Sequence, residues 1–328
     1  CARSRLAERP PQQQLAQHPA RGLLGARIGL IPHQLSVSHT VAQRLNPRVL
    51  LADEVGLGKT IEAGLILHAQ IQHGRASRVL ILLPDSLVHQ WLVEMRRRFN
   101  LAFSLFDLER CASLIEEGDN PFLSEQLVIA PLSLLTDHPH LLTSALDAPW
   151  DVLVVDEAHH LAWSPEDPSI EYEVVSLLSA RVPGLLLLTA TPEQLGVESH
   201  YARLHLLDPA RYPSLDAFLD EHDNWRGTSD LADALLSEQV SAPIAKQLQK
   251  LLADLTFDLK TSEGRELALN ALLDRHGLGR VLFRNTRAAV GGFPERVSHL
   301  TSLPVPESFA PWVNKGAIWP ETRVDEET

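Results

Sequence analysis

Cysteine is nearly missing from this chain. Cys1 and Cys111 are the only two in 328 residues, too few for a disulfide framework and in keeping with a reducing, cytoplasmic compartment. Long apolar runs are missing too. No stretch reaches the roughly 18–20 apolar residues of a membrane span, and the opening C-A-R-S-R-L-A-E-R-P-P-Q-Q-Q has no apolar signal-peptide core, so no membrane partner is expected. Methionine occurs once, as Met95, behind a first residue that is Cys1; the chain is therefore expected to be a fragment of a larger protein. The fifteen histidines are scattered, and His138-Pro-His140 and His159-His160 have no cysteines at ligand spacing, so no zinc is assigned. Positive charge is short: 29 Lys and Arg face 42 Asp and Glu, a net charge of −13, which opposes nonspecific attraction to a polyanion. The one dense basic cluster, Arg96-Arg97-Arg98, reads equally as a nucleic-acid contact and as cations at the negative end of a helix.

What is present is concentrated in eight residues, D-E-V-G-L-G-K-T, Asp53 to Thr60, directly after the apolar run Val49-Leu50-Leu51-Ala52. A short buried strand entering a glycine-rich turn, then Lys-Thr opening an amphipathic stretch, is the layout of a phosphate-binding loop. Consecutive backbone N–H groups point at the ligand, and the helix start adds its positive end. In such a loop Asp53, Glu54, Val55, Gly56, Leu57 and Gly58 surround the phosphates of ATP. Lys59 reaches the β/γ-phosphates and the Thr60 hydroxyl ligates Mg²⁺. The strict pattern G-x-x-x-x-G-K-[ST] is not met, because Asp53 stands where its first glycine belongs.

A second site follows at 151–159, D-V-L-V-V-D-E-A-H, where an apolar strand delivers two carboxylates and a histidine. Ligands of parallel α/β sheets sit outside the carboxyl ends of the strands, so Asp156 is expected to meet the Lys59 loop there and to hold Mg²⁺ through water. Glu157 is placed to orient and deprotonate the attacking water. A third run, Leu185 to Leu188, ends in T-A-T-P, Thr189 to Pro192, which brings small hydroxyls to the same edge.

In this order the three motifs resemble the first motor lobe of superfamily 2 nucleic-acid-dependent ATPases of the Swi/Snf type. The likeness runs from about residue 20 to 310. I-P-H-Q, Ile31 to Gln34, resembles the family's adenine-reading motif, with Gln34 as reader. L-L-P-D-S-L-V-H-Q-W (Leu82 to Trp91) and L-V-I-A-P-L-S (Leu127 to Ser133) resemble segments that grip a nucleic-acid backbone, with Ser86 and Ser133 as the hydroxyls. V-L-F-R-N-T-R-A-A-V-G-G-F-P-E-R, Val281 to Arg296, resembles the segment that leaves lobe one. The wording Q-W-L-V-E-M, D-E-A-H-H-L and T-A-T-P-E-Q-L-G is similar to the branch of the family that associates with bacterial RNA polymerase. The resemblance implies a RecA-like lobe, Mg-ATP, double-stranded DNA as track, RNA polymerase core as partner, a bacterial cytoplasmic setting, and translocation without strand separation. It also implies that His159, Thr189 and Thr191 couple the nucleotide and nucleic-acid sites. Nothing in the sequence resembles the second lobe, whose Q-x-x-G-R-x-x-R arginines touch the γ-phosphate.

Four parts are expected: a polar linker over 1–25; an α/β lobe over 26–215, with a parallel sheet from strands at 48–52, 78–83, 102–106, 127–130, 151–155 and 185–189 and helices on both faces; a small helical subdomain over 216–277; and an exit segment over 278–328. Trp91 and Trp163 read as packing residues. Two other readings stay open: a lobe of a true helicase or restriction-type motor, or a nucleotide-gated binding module. Gln34 carries the amide donor and carbonyl acceptor that adenine's N7 and N6 amine require. Gln34→Ala is therefore expected to narrow the ratio of ATP to GTP affinity. A variant that keeps the wild-type ratio in a competition titration would show that the base is read elsewhere.

Overall fold

Five runs of Val, Leu and Ile become strands buried on both faces: β1 (Arg48–Leu51), β2 (Val79–Leu83), β4 (Leu127–Pro131), β5 (Val152–Val155) and β6 (Gly184–Leu188). Near-continuous apolar strands of this kind belong in a parallel sheet covered by helices on each side. Two short strands, β3 (Ser104–Leu105) and β7 (Leu282–Phe283), close the edges. The computed structural model describes residues 25–29, 31–190, 196–219, 235, 242–251 and 281–285, with isolated positions between 258 and 268. The strand order is β3-β4-β2-β5-β6-β1-β7 and every neighbouring pair is parallel.

Alternate residues of each strand feed two separate cores, as the two-residue side-chain period requires. Leu50, Leu80, Leu82, Leu153, Val155, Leu185 and Leu187 point to one side; Val49, Leu51, Val79, Ile81, Val154, Leu186 and Leu188 point to the other. The second side is covered by α1 (Pro32–Ala42), α2 (Lys59–Gln72) and α3 (Val88–Phe99); the first by α4 (Leu108–Glu116), α5 (Ser133–Thr136), α6 (Pro139–Leu146), α7 (Ile170–Ser179) and α8 (Gly196–Leu207). The helices start where their sequences say. Pro32 occupies the first turn of α1, where its missing N–H costs nothing. Asp107 caps α4 by accepting from the Arg110 N–H at 2.9 Å, and Ser169 caps α7 through the Tyr172 N–H. In α3 the buried set Val88, Trp91, Met95 and Phe99 keeps the helical period, and Asn100 ends the helix at φ 54°. Arg96, Arg97 and Arg98 fill its last turn, and Arg98 pairs with Glu94. Since α3 leaves the carboxyl end of β2 and returns to the start of β3, these arginines lie at the opposite end of the helix from the strand-end motifs.

The six expected strands all form, shortened most at 102–106, where only Ser104–Leu105 pairs. The expected exit strand is β7, joined to β1 by the Leu50 and Ala52 N–H groups donating to Val281 and Phe283 carbonyls. Most of 216–277 lies outside the described residues; within it, α9 (Ala242–Leu251) is helical. Residues 1–24 and 286–328 lie outside as well. No helix among the described residues is long and apolar enough to cross a membrane.

Helices α2 and α3 approach closely at Gly64 of α2, where a Cβ would overlap the Phe99 ring. Phe99 is itself buried and has nowhere to retreat. Gly64→Ala gains roughly 1 kcal/mol of helix propensity but incurs an overpacking cost of about 1–3 kcal/mol. A net loss of about 1 kcal/mol is expected, seen as a lower urea midpoint with unchanged slope.

Candidate active site

Because β6 lies between β5 and β1 in the sheet, three polar strand ends stand side by side on one edge. The first is the loop 53–58. Gly56 and Gly58 hold φ at 85° and 92°, a region that side chains resist; a Cβ on Gly58 would also overlap the Gln34 amide. Leu57 is buried and its N–H donates to the Glu54 carbonyl at 3.1 Å, which leaves Glu54, Val55 and Gly56 exposed at the tip. Helix α2 opens at Lys59. The Lys59 ammonium donates to the Asp53 carbonyl at 2.9 Å, folded over the loop it serves.

Asp53 does something the sequence did not suggest. Its side chain is fully buried, accepting at Oδ1 from the Asn285 N–H (2.7 Å) and at both oxygens from Asn285 Nδ2 (3.0 and 3.1 Å). The Glu54 N–H donates in turn to the Asn285 carbonyl at 3.1 Å. The residue in place of the first glycine is thus a strut that ties the loop to the segment after β7. Beside it, His33 Nε2 lies 3.2 Å from the Leu57 carbonyl, 3.8 Å from Asp53 Oδ2 and 4.0 Å from Glu62 Oε1. His33, Asp53 and Glu62 each offer a ligand atom within 4.8 Å of the others, but a proton neutralises the group equally well. Burial first, and then the Asp53 carboxylate, push the Glu62 pKa up to about 9, with Lys59 opposing.

At the second strand end, Asp156 is nine-tenths buried and Glu157 takes up φ 50°, ψ 44°. This left-handed conformation costs a non-glycine residue about 1–2 kcal/mol and is shared, among the described residues, only with Asn100. The Glu157 N–H donates to Asp156 Oδ1 at 2.8 Å, and the Trp91 indole N–H donates to Oδ2 at 2.7 Å. Burial pushes the Asp156 carboxyl above its ordinary range, against these two donors and the positive charge of Lys59. The loop after β1 and the pair Asp156-Glu157 after β5 lie on the same sheet edge, with the end of β6 between them. His159 Nδ1 lies 3.0 Å from Glu157 Oε2. Burial and the adjoining His160 hold the His159 pKa below its usual value, against the pull of Glu157.

Residues 33–308 match the SNF2-related domain. The chain belongs to the SNF2-related family. It is 51% identical over 311 residues to the RNA polymerase-associated protein RapA of Vibrio cholerae serotype O1 (strain M66-2), covering 91% of this chain and 32% of that protein. To the protein of the same description from Vibrio campbellii it is 51% identical over 320 residues, 93% of this chain and 33% of that one. The chain thus spans about a third of the length of these relatives. Among solved structures, the SWI2/SNF2 ATPase core of Sulfolobus solfataricus in complex with dsDNA matches with a TM-score of 0.54 at 18% identity, over 82% of this chain and 48% of that one. The shared fold is a parallel RecA-like sheet.

The other expected residues of this SNF2-related lobe fall as follows. Gln34 is buried beside the loop, and its Nε2 donates to the Leu57 carbonyl at 2.7 Å. Thr189, fully buried at the end of β6, donates its N–H to the Leu51 carbonyl at 3.0 Å, between the two motif strands. Thr191 lies outside the described residues. Ser86 is exposed in the turn Asp85–Leu87, whereas the Ser133 hydroxyl donates to the Asp85 carboxylate at 3.1 and 3.0 Å. A cavity of about 330 Å³ beside Ser133 is lined by Asp85, Asp137, Asp156, Glu157 and Glu171, together with Thr136, His160 and apolar side chains. So many carboxylates suit a cation better than a bare phosphate chain.

The group fits Mg-ATP. Thr60 and Asp156 offer the hard oxygens that Mg²⁺ prefers, and Gly56 and Gly58 hold the loop in the left-handed conformation that side chains resist. Reasoning from the sequence missed His33, Glu62, Asn285 and the polar role of Trp91. Glu62 lies one turn after Lys59 and His33 inside I-P-H-Q, so both were within view; Asn285 is 232 residues from its partner. A raised carboxyl pKa means that the native state binds the extra proton, so stability falls as pH rises from the ordinary carboxylate range towards 9. Glu62→Gln removes that slope. Relative to wild type, its denaturation midpoint is expected to improve between pH 5.5 and pH 8.5; a constant difference would mean that Glu62 is ionised throughout.

Proposed function

We propose that this chain is the ATP-binding first lobe of a DNA-dependent ATPase that translocates on duplex DNA without separating its strands. The observation that carries this reading is that the Lys59 loop and the pair Asp156-Glu157 follow β1 and β5 on one sheet edge, on either side of β6. Lys59 and the amides of 54–58 bind the β- and γ-phosphates. Thr60 and Asp156 hold Mg²⁺, which when bound neutralises the charge that builds on the transferred phosphoryl group. Glu157 orients the attacking water and takes its proton; its 3.0 Å approach to His159 gives the base a neighbour through which Thr189 and Thr191 can signal nucleic-acid contact. Gln34 reads adenine once the base displaces or shares its bond to Leu57. Residues 26–215 form the lobe, 216–277 a helical subdomain, and 278–328 the segment leading to a second lobe.

Two relatives of half identity are described as RNA polymerase-associated, which supports RNA polymerase core as partner, a bacterial cytoplasmic setting, and a role in remodelling transcription complexes and recycling the polymerase. DNA contact through Ser86 and Ser133 rests on their position at the strand-end edge. There, hydroxyl and backbone N–H groups position a phosphate backbone without needing a positive net charge.

The chain by itself is expected to bind Mg-ATP weakly and to hydrolyse it hardly at all, because absent arginines of this kind cost about 10³–10⁵ in rate. DNA-stimulated turnover at the level of an intact motor would overturn this. Lys59→Ala is expected to abolish nucleotide binding without unfolding the chain, and Glu157→Gln to retain it. Titration with a fluorescent ATP analogue separates the two; equal loss in both would remove Glu157 from the role of base.

A further inference from the structure

Trp91 packs as a core residue should: its ring is about 1% exposed, among Met95, Phe99 and the strands beneath α3. Its polar atom has a separate role. A buried indole N–H needs only some acceptor, and Trp150 finds one in the Ala145 carbonyl at 2.9 Å. Trp91 instead donates to Asp156 Oδ2 at 2.7 Å, while Oδ1 takes the Glu157 N–H at 2.8 Å. Each oxygen of the carboxylate therefore has one protein donor, and two donors on different oxygens fix the plane of the group. Asp156 is only 9% exposed, which leaves little room for water to replace a lost donor.

The donor's place in the chain matters too. Trp91 stands in the first turn of α3, directly after the turn Asp85–Leu87 that carries Ser86. That turn is tied to the end of β4 by Ser133 on Asp85 and by the Leu132 N–H on the Leu83 carbonyl at 2.8 Å. One short segment thus spans from the β4 exit to the carboxylate of the second motif.

We propose that Trp91 is a positioning residue for the metal site, its indole N–H holding the Asp156 carboxylate in the orientation that receives Mg²⁺. The inference rests on reading this edge as a Mg-ATP site. Partners of this kind, one shell behind a metal ligand, typically change metal affinity by about 10–100-fold when removed.

Trp91→Phe deletes the N–H and keeps an aromatic ring in the core. In the full 328-residue chain, affinity for a fluorescent ATP analogue is titrated with Mg²⁺ and normalised to each variant's own metal-free affinity. The Mg²⁺ concentration at half effect is expected to rise about tenfold or more in Trp91→Phe. Added to Asp156→Asn, Trp91→Phe is expected to cause no further loss, since both act through one carboxylate. An unchanged half-effect concentration in Trp91→Phe, or losses that simply add, overturns the proposal while leaving the Mg-ATP reading in place. A wild-type chain whose nucleotide affinity ignores Mg²⁺ overturns both. Should Trp91→Phe fail to fold, ¹⁵N-indole spectra of the wild type decide, with signals assigned by Phe substitution of the other tryptophans. Mg²⁺ added to the ATP-bound chain is expected to move the Trp91 indole N–H and leave that of Trp150 in place. A Trp91 signal that does not respond counts against the proposal.

Discussion

Burial of the parallel sheet on both faces is the constraint on which everything else depends. Strands such as Val79–Leu83 and Gly184–Leu188 bury every residue, so no functional group can be carried on their faces. With all strands parallel, helices must return the chain across the sheet, and every strand exits on the same edge. Polar chemistry is thereby expelled from the sheet and collected at one rim. The order β5-β6-β1 then brings together residues about a hundred positions apart, Lys59 and Asp156, with Thr189 between them.

Beneath that rim lies a second layer of polar groups that never meets solvent. Asp53, Glu62 and Thr189 are fully buried, and Asp156 nearly so. Buried carboxylates are costly unless they are paired or protonated, and each here has its own solution. Asp53 takes three hydrogen bonds from Asn285, Asp156 takes two from Trp91 and Glu157, and Glu62 keeps its proton at neutral pH. Lys59 lies within electrostatic reach of both Glu62 and Asp156. The glycine loop is thus mounted partly on Asp53, whose position is set by hydrogen bonds from Asn285 in the segment after β7. Glu157 adds backbone strain at the end of β5, where it takes up the left-handed conformation.

The net charge of −13 is compatible with the proposed nucleic-acid-dependent motor once the distribution is considered. The rim cavity is acidic in its own right, with Asp85 holding Ser133, while the three adjacent arginines sit at the far end of α3. In the proposed reading, affinity for a backbone at this edge depends on N–H donors and hydroxyls aimed at individual phosphates, a term that bulk charge does not report.

The strands, the two-sided sheet, the glycine loop and the pair Asp156-Glu157 were legible in the sequence, because each depends on neighbours in the chain: apolar runs, the period of a helix, the spacing of glycines before Lys-Thr. The roles of Asp53 and Trp91 were not legible. By pattern Asp53 belonged to the nucleotide and Trp91 to the core, and only tertiary structure gave each its polar partner, Asn285 at a separation of 232 residues and Asp156 at 65. The physical reason is the same in both cases. A buried donor or acceptor must find a complement wherever the fold brings one within about 3 Å, and sequence order says nothing about which distant residue that is. The sequence by itself determined which chemistry is present; the packing of the sheet decided which residues hold it in place.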